Sequence, residues 1–545
     1  MRLVVFQRNL AKPLRISFLR NGLITGGILV TILVSMAAPP AFQWAKSAGG
    51  ISYDYGFGVA TDAAGNSFVA GEFRETANFG PLALTNAASD TSDMYLVKYD
   101  PTGNPVWARR SGGISTDSAK AVGVDTSGNV YVVGDFSGTA SFGTNVFTSS
   151  GSEDMFLLKY DATGNLLWAR KGGGTGHDFG LCLAAGSNFC YVAGTFENVA
   201  NFSGTNLASA GGYDIFIAKY DGLGALQWIR SAGGAGHDQA LGVAADNLGR
   251  CRVTGYFTST NAMFGSVSLT NASLFFSDAF VSNYDPAGNL LWATRLGGTD
   301  SERGVAVATD VAGNSFVTGS FASTNLPSGA GSLTNRGGSD VFLAKLDLSG
   351  SVQWISSAGG VGEDNVAAIA LDSSGNPHVI GNHLNDATFG NTTLTNTGLP
   401  GSLNGFVAKS DGSGNFVWAK DIGGSDDESP LGIGLDASDN IYLAGSFTSA
   451  GAKFDSLTVT NAGTSDIFVA RIAQEQPQLG AVRTANSLVI SWPAYLQGFN
   501  LESSSNTVAS SSWSQVLTTP VLVGGQRYVT NPITPGQKFF RTRKP

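Results

Sequence analysis

One acidic residue recurs at the same place seven times along the chain, ten residues after a tryptophan. Clustered carboxylates focus negative potential and supply the oxygen ligands that calcium prefers, so one interpretation is a cation site. The alternative is that each carboxylate accepts hydrogen bonds from backbone N–H groups of the glycine turn beside it. All seven copies are alike, whereas a ligand site usually breaks repeat symmetry, and this favours turn capping. The seven residues are Asp54, Asp117, Asp178, Asp238, Glu302, Asp364 and Glu428.

The other residue types predict no catalytic residue and no cofactor, with calcium left open. The chain has no nucleophile elbow and no phosphate-binding loop, and its four histidines lack zinc-ligand spacing. Three cysteines cannot form a disulfide framework, so we expect buried free thiols. An enzymatic alternative would draw on carboxylates near the same turns, such as Glu302, Glu428 and Asp300.

A strand–turn–strand unit must position these carboxylates, and its clearest copy is residues 154–168. Asp154 opens the unit, Asp161 lies 7 residues before its tryptophan, and Trp168 ends it. The tryptophan falls on the outermost predicted strand, where a large ring can fill the seam to the next repeat. The repeat tryptophans, spaced 60 to 64 residues apart, are Trp44, Trp107, Trp168, Trp228, Trp292, Trp354 and Trp418.

The sequence of each repeat predicts four short strands in two hairpins. The turn of each hairpin has the sequence Asp-x-x-Gly-Asn or a close variant, in which Asp caps the turn while Gly and Asn tolerate positive φ. The first strand is small and apolar, which suits strands crowding a channel, and seven repeats predict an all-β, seven-bladed β-propeller. The N-terminal strand at 42–46 stands alone, as does the last strand at 466–472. We therefore expect the N-terminal strand to complete the seventh blade and close the ring.

The recurring motifs support a family resemblance. WAR-x-x-GG, D-x-x-GN-x-YV-x-G-x-F and D-x-F-x-x-KYD-x-x-GN resemble the bacterial seven-bladed β-propeller repeat, SBBP, over residues 42–474. This family is common among secreted and cell-surface proteins, so the resemblance implies both the fold and export. It does not imply one activity, because propellers host many functions.

The two ends of the chain predict separate segments. Residues 1–37 show the basic, apolar and small-residue order of a signal peptide, and the alternative is an uncleaved membrane anchor. The segment 475–545 has short alternating strands, and SLVISWP and KFFRTRKP resemble small fibronectin-type or immunoglobulin-like β-sandwich modules.

The net charge of the chain limits the classes of partner that we expect. The net charge is −9, and removal of residues 1–37, which hold five basic and no acidic residues, leaves −14. An acidic surface repels phosphate backbones, so we expect no nucleic acid partner.

The sequence thus predicts a monomeric, exported, non-catalytic binding or scaffold protein of the cell envelope or exterior, with polysaccharide or a cell-surface protein as partner. Membrane contact would come only through an uncleaved N-terminus, and the alternative function is a glycan lyase or hydrolase acting at the channel mouth.

Overall fold

The computed structural model describes residues 4–5, 14–15, 39–328, 331–473, 479–483, 487–493, 499–504, 513–523, 526–532 and 539–543. The chain divides into two compact units, Ala41–Ala473 and Met1–Pro40 with Gln474–Pro545. Every regular element in this described part is a β-strand, which confirms the all-β prediction. No helix capable of spanning a membrane occurs among these residues.

The larger unit carries most of the strands, and two short strands, β1 (Val4–Val5) and β2 (Leu14–Arg15), precede it in the chain. Its first half holds β3 (Phe42–Ala48), β4 (Asp54–Thr61), β5 (Ser67–Phe73), β6 (Thr76–Phe79), β7 (Leu82–Thr85), β8 (Asp93–Tyr99), β9 (Pro105–Gly113), β10 (Asp117–Val124), β11 (Val130–Phe142), β12 (Asn145–Tyr160), β13 (Leu166–Gly174), β14 (Phe179–Ala185), β15 (Phe189–Phe196), β16 (Val199–Phe202), β17 (Thr205–Ala208), β18 (Asp214–Asp221) and β19 (Leu226–Gly233).

The second half repeats the same succession of elements. It holds β20 (Asp238–Ala245), β21 (Cys251–Phe257), β22 (Asn261–Phe264), β23 (Val267–Thr270), β24 (Asp278–Tyr284), β25 (Leu290–Leu296), β26 (Glu302–Thr309), β27 (Ser315–Phe321), β28 (Asn325–Ser328), β29 (Gly331–Thr334), β30 (Asp340–Leu346), β31 (Val352–Gly360), β32 (Asp364–Leu371), β33 (Pro377–His383), β34 (Ala387–Phe389), β35 (Thr392–Leu394), β36 (Asn404–Ser410), β37 (Phe416–Ile422), β38 (Glu428–Leu435), β39 (Ile441–Phe447), β40 (Gly451–Phe454), β41 (Leu457–Thr460) and β42 (Asp466–Ile472).

Each repeat is built from four antiparallel strands, which we call A, B, C and D. In the first repeat these are β4, β5, β8 and β9, and the same order recurs as β14, β15, β18 and β19. The last repeat has β38, β39 and β42 as A, B and C, and its fourth strand is the N-terminal β3. Trp44 of β3 lies opposite Arg471 of β42, so the two ends of the larger unit share one sheet.

The connection from B to C contains a feature that the sequence did not predict. It forms a small hairpin, such as β16–β17, which pairs with strand D of the preceding repeat. There Gly172 lies opposite Phe202, and Gly174 lies opposite Ala200. This B-to-C connection is therefore built of regular strands.

Strands B and C are buried on both faces, because the sheets of adjacent repeats pack against each other. Phe68 and Leu96 of the first repeat share one buried cluster with Val132 and Phe156 of the second. A single repeat could not bury these side chains alone, since both faces of its sheet need a neighbour.

The Asp-x-x-Gly-Asn turns are capped locally, as the sequence predicted. Asp161 Oδ1 accepts hydrogen bonds from the N–H of Thr163 at 2.9 Å and of Asn165 at 3.0 Å. Gly164 has a φ of 83°, a conformation that an L side chain rarely adopts.

The repeat tryptophans join neighbouring repeats. Trp107 Nε1 donates to the Ala162 carbonyl, 3.3 Å away, in the C–D turn of the next repeat. The ring lies flat against that turn, where a Cβ on Gly164 would come 3.0 Å from it. The contact with the next repeat's turn recurs for Trp44, Trp168, Trp228, Trp292 and Trp354 at 2.8–3.1 Å.

The smaller unit forms two sheets in its described residues. One sheet joins β43 (Gly480–Arg483), β44 (Ser487–Pro493), β47 (Val521–Val523) and β48 (Gln526–Pro532). The other joins β45 (Asn500–Ser504), β46 (Ser514–Gln515), β49 (Phe539–Arg543), β1 and β2. Its fibronectin or immunoglobulin likeness stays a prediction, and the signal segment 1–37, apart from β1 and β2, lies outside the described residues.

Replacing one seam tryptophan tests its packing role. Trp228 is buried, so Trp228→Ala should lower the free energy of unfolding by about 3–5 kcal/mol. Trp228→Phe keeps a ring but loses the hydrogen bond to Pro286, and it should cost about 1 kcal/mol from that bond, with any packing loss in addition. Denaturant unfolding of both variants measures this. Equal losses would show that the hydrogen bond, and not the packing, holds the seam.

Candidate functional site

The seven repeated carboxylates lie at the start of strand A in every repeat. Asp117 is the first residue of β10, and Asp178 directly precedes β14. All seven side chains are buried. They are therefore inside the protein and do not form an open acidic surface.

Six of these carboxylates cap the glycine turn that precedes them. Asp117 Oδ2 accepts a hydrogen bond from Gly113 N–H, four residues earlier, at 2.7 Å. Glu428 makes no such bond among the described residues. The same contact, at 2.6–2.7 Å, is made by Asp54, Asp178, Asp238, Glu302 and Asp364.

Four of these carboxylates, Asp54, Asp178, Asp238 and Glu302, also accept hydrogen bonds from backbone N–H groups just after strand B. Asp238 Oδ1 accepts from the N–H of Thr258 at 3.0 Å and of Ser259 at 3.2 Å. Its Oδ2 accepts from Ser259 Oγ at 2.6 Å. One side chain thus fixes two connections at the same end of the repeat.

A second buried carboxylate faces most of these residues across the boundary between repeats. Asp93 opens strand C of the first repeat and lies beside Asp117 of the second. Gly112 lies between them with a φ of 148°, and a Cβ there would be 2.2 Å from Asp93 Oδ1 and 2.7 Å from Asp117 Oδ2. The equivalent pairs are Asp54 with Asp466, Asp178 with Asp154, Asp238 with Asp214, Glu302 with Asp278, and Asp364 with Asp340.

Burial favours the protonated, uncharged form of these paired carboxyl groups. It raises the pKa of Asp54 to about 7 and the pKa of Asp117 to about 8, and the facing carboxylate adds repulsion. A protonated carboxyl still accepts a backbone hydrogen bond, but it attracts a cation weakly. No group of three or more His, Cys, Asp or Glu in the described chain could hold a metal ion. A cation role for the seven residues stays a prediction.

The residues of the enzymatic alternative are not assembled into one site. Glu302 and Glu428 are buried turn residues of different repeats. Asp300 Oδ1 accepts from the adjacent Ser301 N–H at 2.8 Å. Elsewhere, the three cysteines are buried and free, as the sequence predicted.

The residues that flank each buried carboxylate differ from repeat to repeat. Side chains alternate along a strand, so these neighbours point to the opposite face, where they are half-buried or exposed except for the buried Ser118. Strand B supplies a further variable residue opposite the second neighbour, as Glu72 lies opposite Tyr55. We call the flanking pairs and their strand B partners the variable rim. The flanking pairs are Tyr53 and Tyr55, Thr116 and Ser118, His177 and Phe179, His237 and Gln239, Ser301 and Arg303, Glu363 and Asn365, and Asp427 and Ser429. The strand B partners are Glu72, Asp135, Thr195, Tyr256, Ser320, Asn382 and Ser446.

Aromatic side chains form two groups on the variable rim. One group is Tyr53 and Tyr55 of the first repeat, and the other comprises His177, Phe179 and His237 of the third and fourth repeats, which lie around Tyr213. The rings of Tyr53 and Tyr55 are nearly parallel, with centroids 6.5 Å apart. Phe57, two residues further along β4, continues the row at 5.8 Å. Tyr53 is 42% exposed, while Tyr55 and Phe57 are half-buried.

Charged groups lie beside this aromatic row. Arg74 lies 5.6 Å from the centre of the Tyr53 ring, and Lys120 lies 5.0 Å from that of Phe57. Lys120 Nζ is also 3.7 Å from Asp135 Oδ1. Burial raises the pKa of Asp135 to about 6, against the opposing effect of Lys120. The site combines aromatic faces with balanced charges.

Reasoning from the sequence found the constant carboxylates but not the variable rim beside them. The signal was available for the flanking pairs of the rim, because these residues lie one place before and after the tenth residue that follows each tryptophan. The pairing of Asp54 with Asp466 carried no such signal, since over 400 residues separate them in the chain.

Comparisons with known proteins identify the repeat. The model of the SBBP family, a beta-propeller repeat, matches residues 106–135. That segment runs from strand D of the first repeat to strand B of the second. Because its four-strand unit recurs along the larger unit, the chain is an all-β protein with β-propeller repeats.

Two curated proteins resemble the chain at low identity. A WD repeat-containing protein of Acanthamoeba polyphaga mimivirus is 23% identical over 76% of this chain. The regulatory protein FlaEY of Caulobacter vibrioides is 26% identical over 62% of this chain. The chain spans 36% of the length of each relative.

One solved structure, Sqt1 from Chaetomium thermophilum, aligns with a TM-score of 0.37 and 10% identity. The alignment covers 79% of this chain and 98% of that one. A TM-score this low does not by itself establish a shared fold.

The buried carboxyl pairs predict a pH dependence of stability. The folded-state pKa of Asp54 is about 7 and that of Asp117 about 8, both above the 3.8 usual for Asp. A raised pKa stabilises the fold fully below the unfolded-state pKa, and this contribution is lost as the pH rises through the folded-state pKa.

We therefore expect a melting temperature lower at pH 8.5 than at pH 5 by at least a few degrees. Asp117→Asn, which removes one titrating group from one pair, should reduce the slope between pH 6 and 8. Differential scanning calorimetry across this range measures both effects. A melting temperature that rises steadily from pH 5 to pH 8.5 would contradict the protonated pairs.

Proposed function

We propose that this chain is an exported, non-catalytic binding protein that presents its ligand site on the variable rim of a closed, seven-bladed β-propeller. The main observation is the contrast between adjacent positions of strand A. The buried carboxylate is acidic in every repeat, while its two neighbours range from Tyr to His, Arg, Glu and Ser. Packing explains why the buried carboxylate is constant. Binding of a single asymmetric ligand would explain why its two neighbours differ between repeats.

Contacts between the last and first repeats support a closed ring. Thr61 Oγ1 of β4 donates to the Leu435 carbonyl of β38 at 2.7 Å. Tyr442 OH donates to the Gly65 carbonyl at 2.9 Å. These side chains join the first repeat to the seventh, just as the tryptophans join successive repeats. Together with β3 in the last sheet, they favour seven blades around a channel.

Two features of the sequence support the proposed export and the proposed kind of partner. The signal-like segment 1–37 supports secretion or transfer to the cell envelope, and the acidic net charge of −9 disfavours nucleic acid. We propose a polysaccharide or a cell-surface protein as partner, with the chain monomeric and the smaller unit as an attached β-sandwich module.

One observation favours a second candidate function, a glycan-active enzyme. Asp135 is nearly buried and carries a pKa of about 6, and Glu72 lies near enough to raise that pKa further. Two carboxyl groups in unlike environments can divide acid and base roles. Turnover of a bound glycan that Asp135→Asn abolishes, without loss of binding, would favour this enzyme over the binding protein.

Ring closure can be tested by removing the N-terminal strand. A chain lacking residues 1–48 should melt at least several degrees below one lacking only 1–37, because the last repeat loses its fourth strand. Thermal denaturation followed by circular dichroism measures the difference. Equal melting temperatures would contradict closure.

Binding at the variable rim can be tested with surface variants. Tyr53→Ala combined with Arg303→Ala should weaken binding to a glycan or cell-surface protein by about tenfold or more, because aromatic and Arg side chains often dominate interfaces. The control combines Leu223→Ala with Val311→Ala, which are exposed turn residues at the other end of the repeats. Equal losses in both variants would argue against a site on the rim.

A further inference from the structure

We infer that the row of aromatic rings formed by Tyr53, Tyr55 and Phe57 binds a polysaccharide chain of neutral sugars. This inference rests on the proposed binding function and narrows its ligand to one class. Three features of the site carry it: the geometry of the rings, the charges beside them, and the polar groups that surround them.

The geometry suits an extended ligand with repeating rings. The three aromatic rings are spaced 6.5 and 5.8 Å apart and are tilted by only 15° and 13° from each other. Tyr53, Tyr55 and Phe57 are alternate residues of one extended segment, so their rings lie in one row. A series of similar rings offers successive contacts to the C–H faces of successive sugars.

The charges disfavour an ionic ligand. Arg74 and Lys120 each already lie against one face of an outer ring, so the protein itself supplies a cation to these rings and leaves their other faces for an uncharged ligand. Lys120 is in turn balanced by Asp135 at 3.7 Å. The net charge of −9 repels acidic polysaccharides as well. A neutral ligand would meet no electrostatic repulsion at this site.

Hydrogen-bonding groups surround the row. Glu72 lies opposite Tyr55 across the strand pair, and burial together with this carboxylate raises the pKa of Tyr55, so its phenol stays a donor. Toward the seventh repeat the rim carries the half-buried Ser429. Aromatic faces bordered by hydroxyl and carboxylate groups match the apolar faces and hydroxyl edges of a sugar.

The experiment uses affinity electrophoresis of the full chain in gels containing a neutral polysaccharide. The panel comprises a β-glucan, a xylan, a galactomannan and a mannan, with polygalacturonate as a charged probe. At least one neutral polymer should retard the protein, and polygalacturonate should not. Isothermal titration with an oligosaccharide of the retarding polymer then gives the affinity.

Two variants locate the site. Tyr53→Ala changes an exposed ring, and Tyr55→Leu keeps apolar volume in case Ala would disturb folding. Each should weaken the affinity by about tenfold, the loss of roughly one ring contact. The matched control is Phe275→Ala, which removes an exposed aromatic side chain that lies outside the variable rim. It should leave the affinity unchanged.

The outcomes separate this inference from the broader function. Retardation by no neutral polymer, or equal affinity in both variants and the wild-type protein, overturns the polysaccharide site. If a cell-surface protein instead binds and the Tyr53/Arg303 variant loses it, the proposed binding function stands while the polysaccharide inference fails. If no rim variant affects any ligand, both fail.

Discussion

The larger unit depends on one constraint, which is that no repeat can cover its own sheet. Strands such as β5 and β8 are apolar on both faces, so each sheet needs a neighbour on either side. The indole rings of six seam tryptophans meet this need at the outer strand, where each lies against the glycine of the next C–D turn. At the strand A end of the same six boundaries, a buried carboxylate accepts a hydrogen bond from the glycine turn that leads in from the preceding repeat. Each of these six boundaries thus has one apolar and one polar contact.

These two joints leave certain positions free to change. A residue such as Asp117 accepts bonds from its glycine turn and faces Asp93, so substitution would disturb two repeats together. Its neighbours on the strand have side chains on the opposite face, and their residue types differ from repeat to repeat. Tyr55 and Ser118 occupy the same place in adjacent repeats with quite different chemistry. A repeat fold can in this way acquire an asymmetric surface without losing the regular packing beneath it.

Much of this architecture was readable from the sequence because its causes are local. The Asp161 turn and the outer-strand position of Trp168 follow from residues a few places apart. The hairpin β16–β17 was missed because its four-residue strands are too short to show a clear alternation. The carboxyl pairs were missed for another reason, since Asp54 and Asp466 meet only when the whole unit has folded. The aromatic row could not be predicted from the repeat pattern, because Tyr53 and Tyr55 have no aromatic equivalent in the next repeat.

The small hairpins also bear on how the protein behaves at high concentration. An outer strand such as β13 exposes one edge, and an unpaired edge invites strands of other molecules. Gly172 to Gly174 of this edge are already paired with Phe202 to Ala200 of the following hairpin. Gly49 and Asn78 make the same contact beside β3, with N–H to carbonyl distances of 3.1 and 2.8 Å in the two directions. The hairpins therefore shield part of the perimeter from intermolecular sheet formation, which would let many copies crowd together without aggregating.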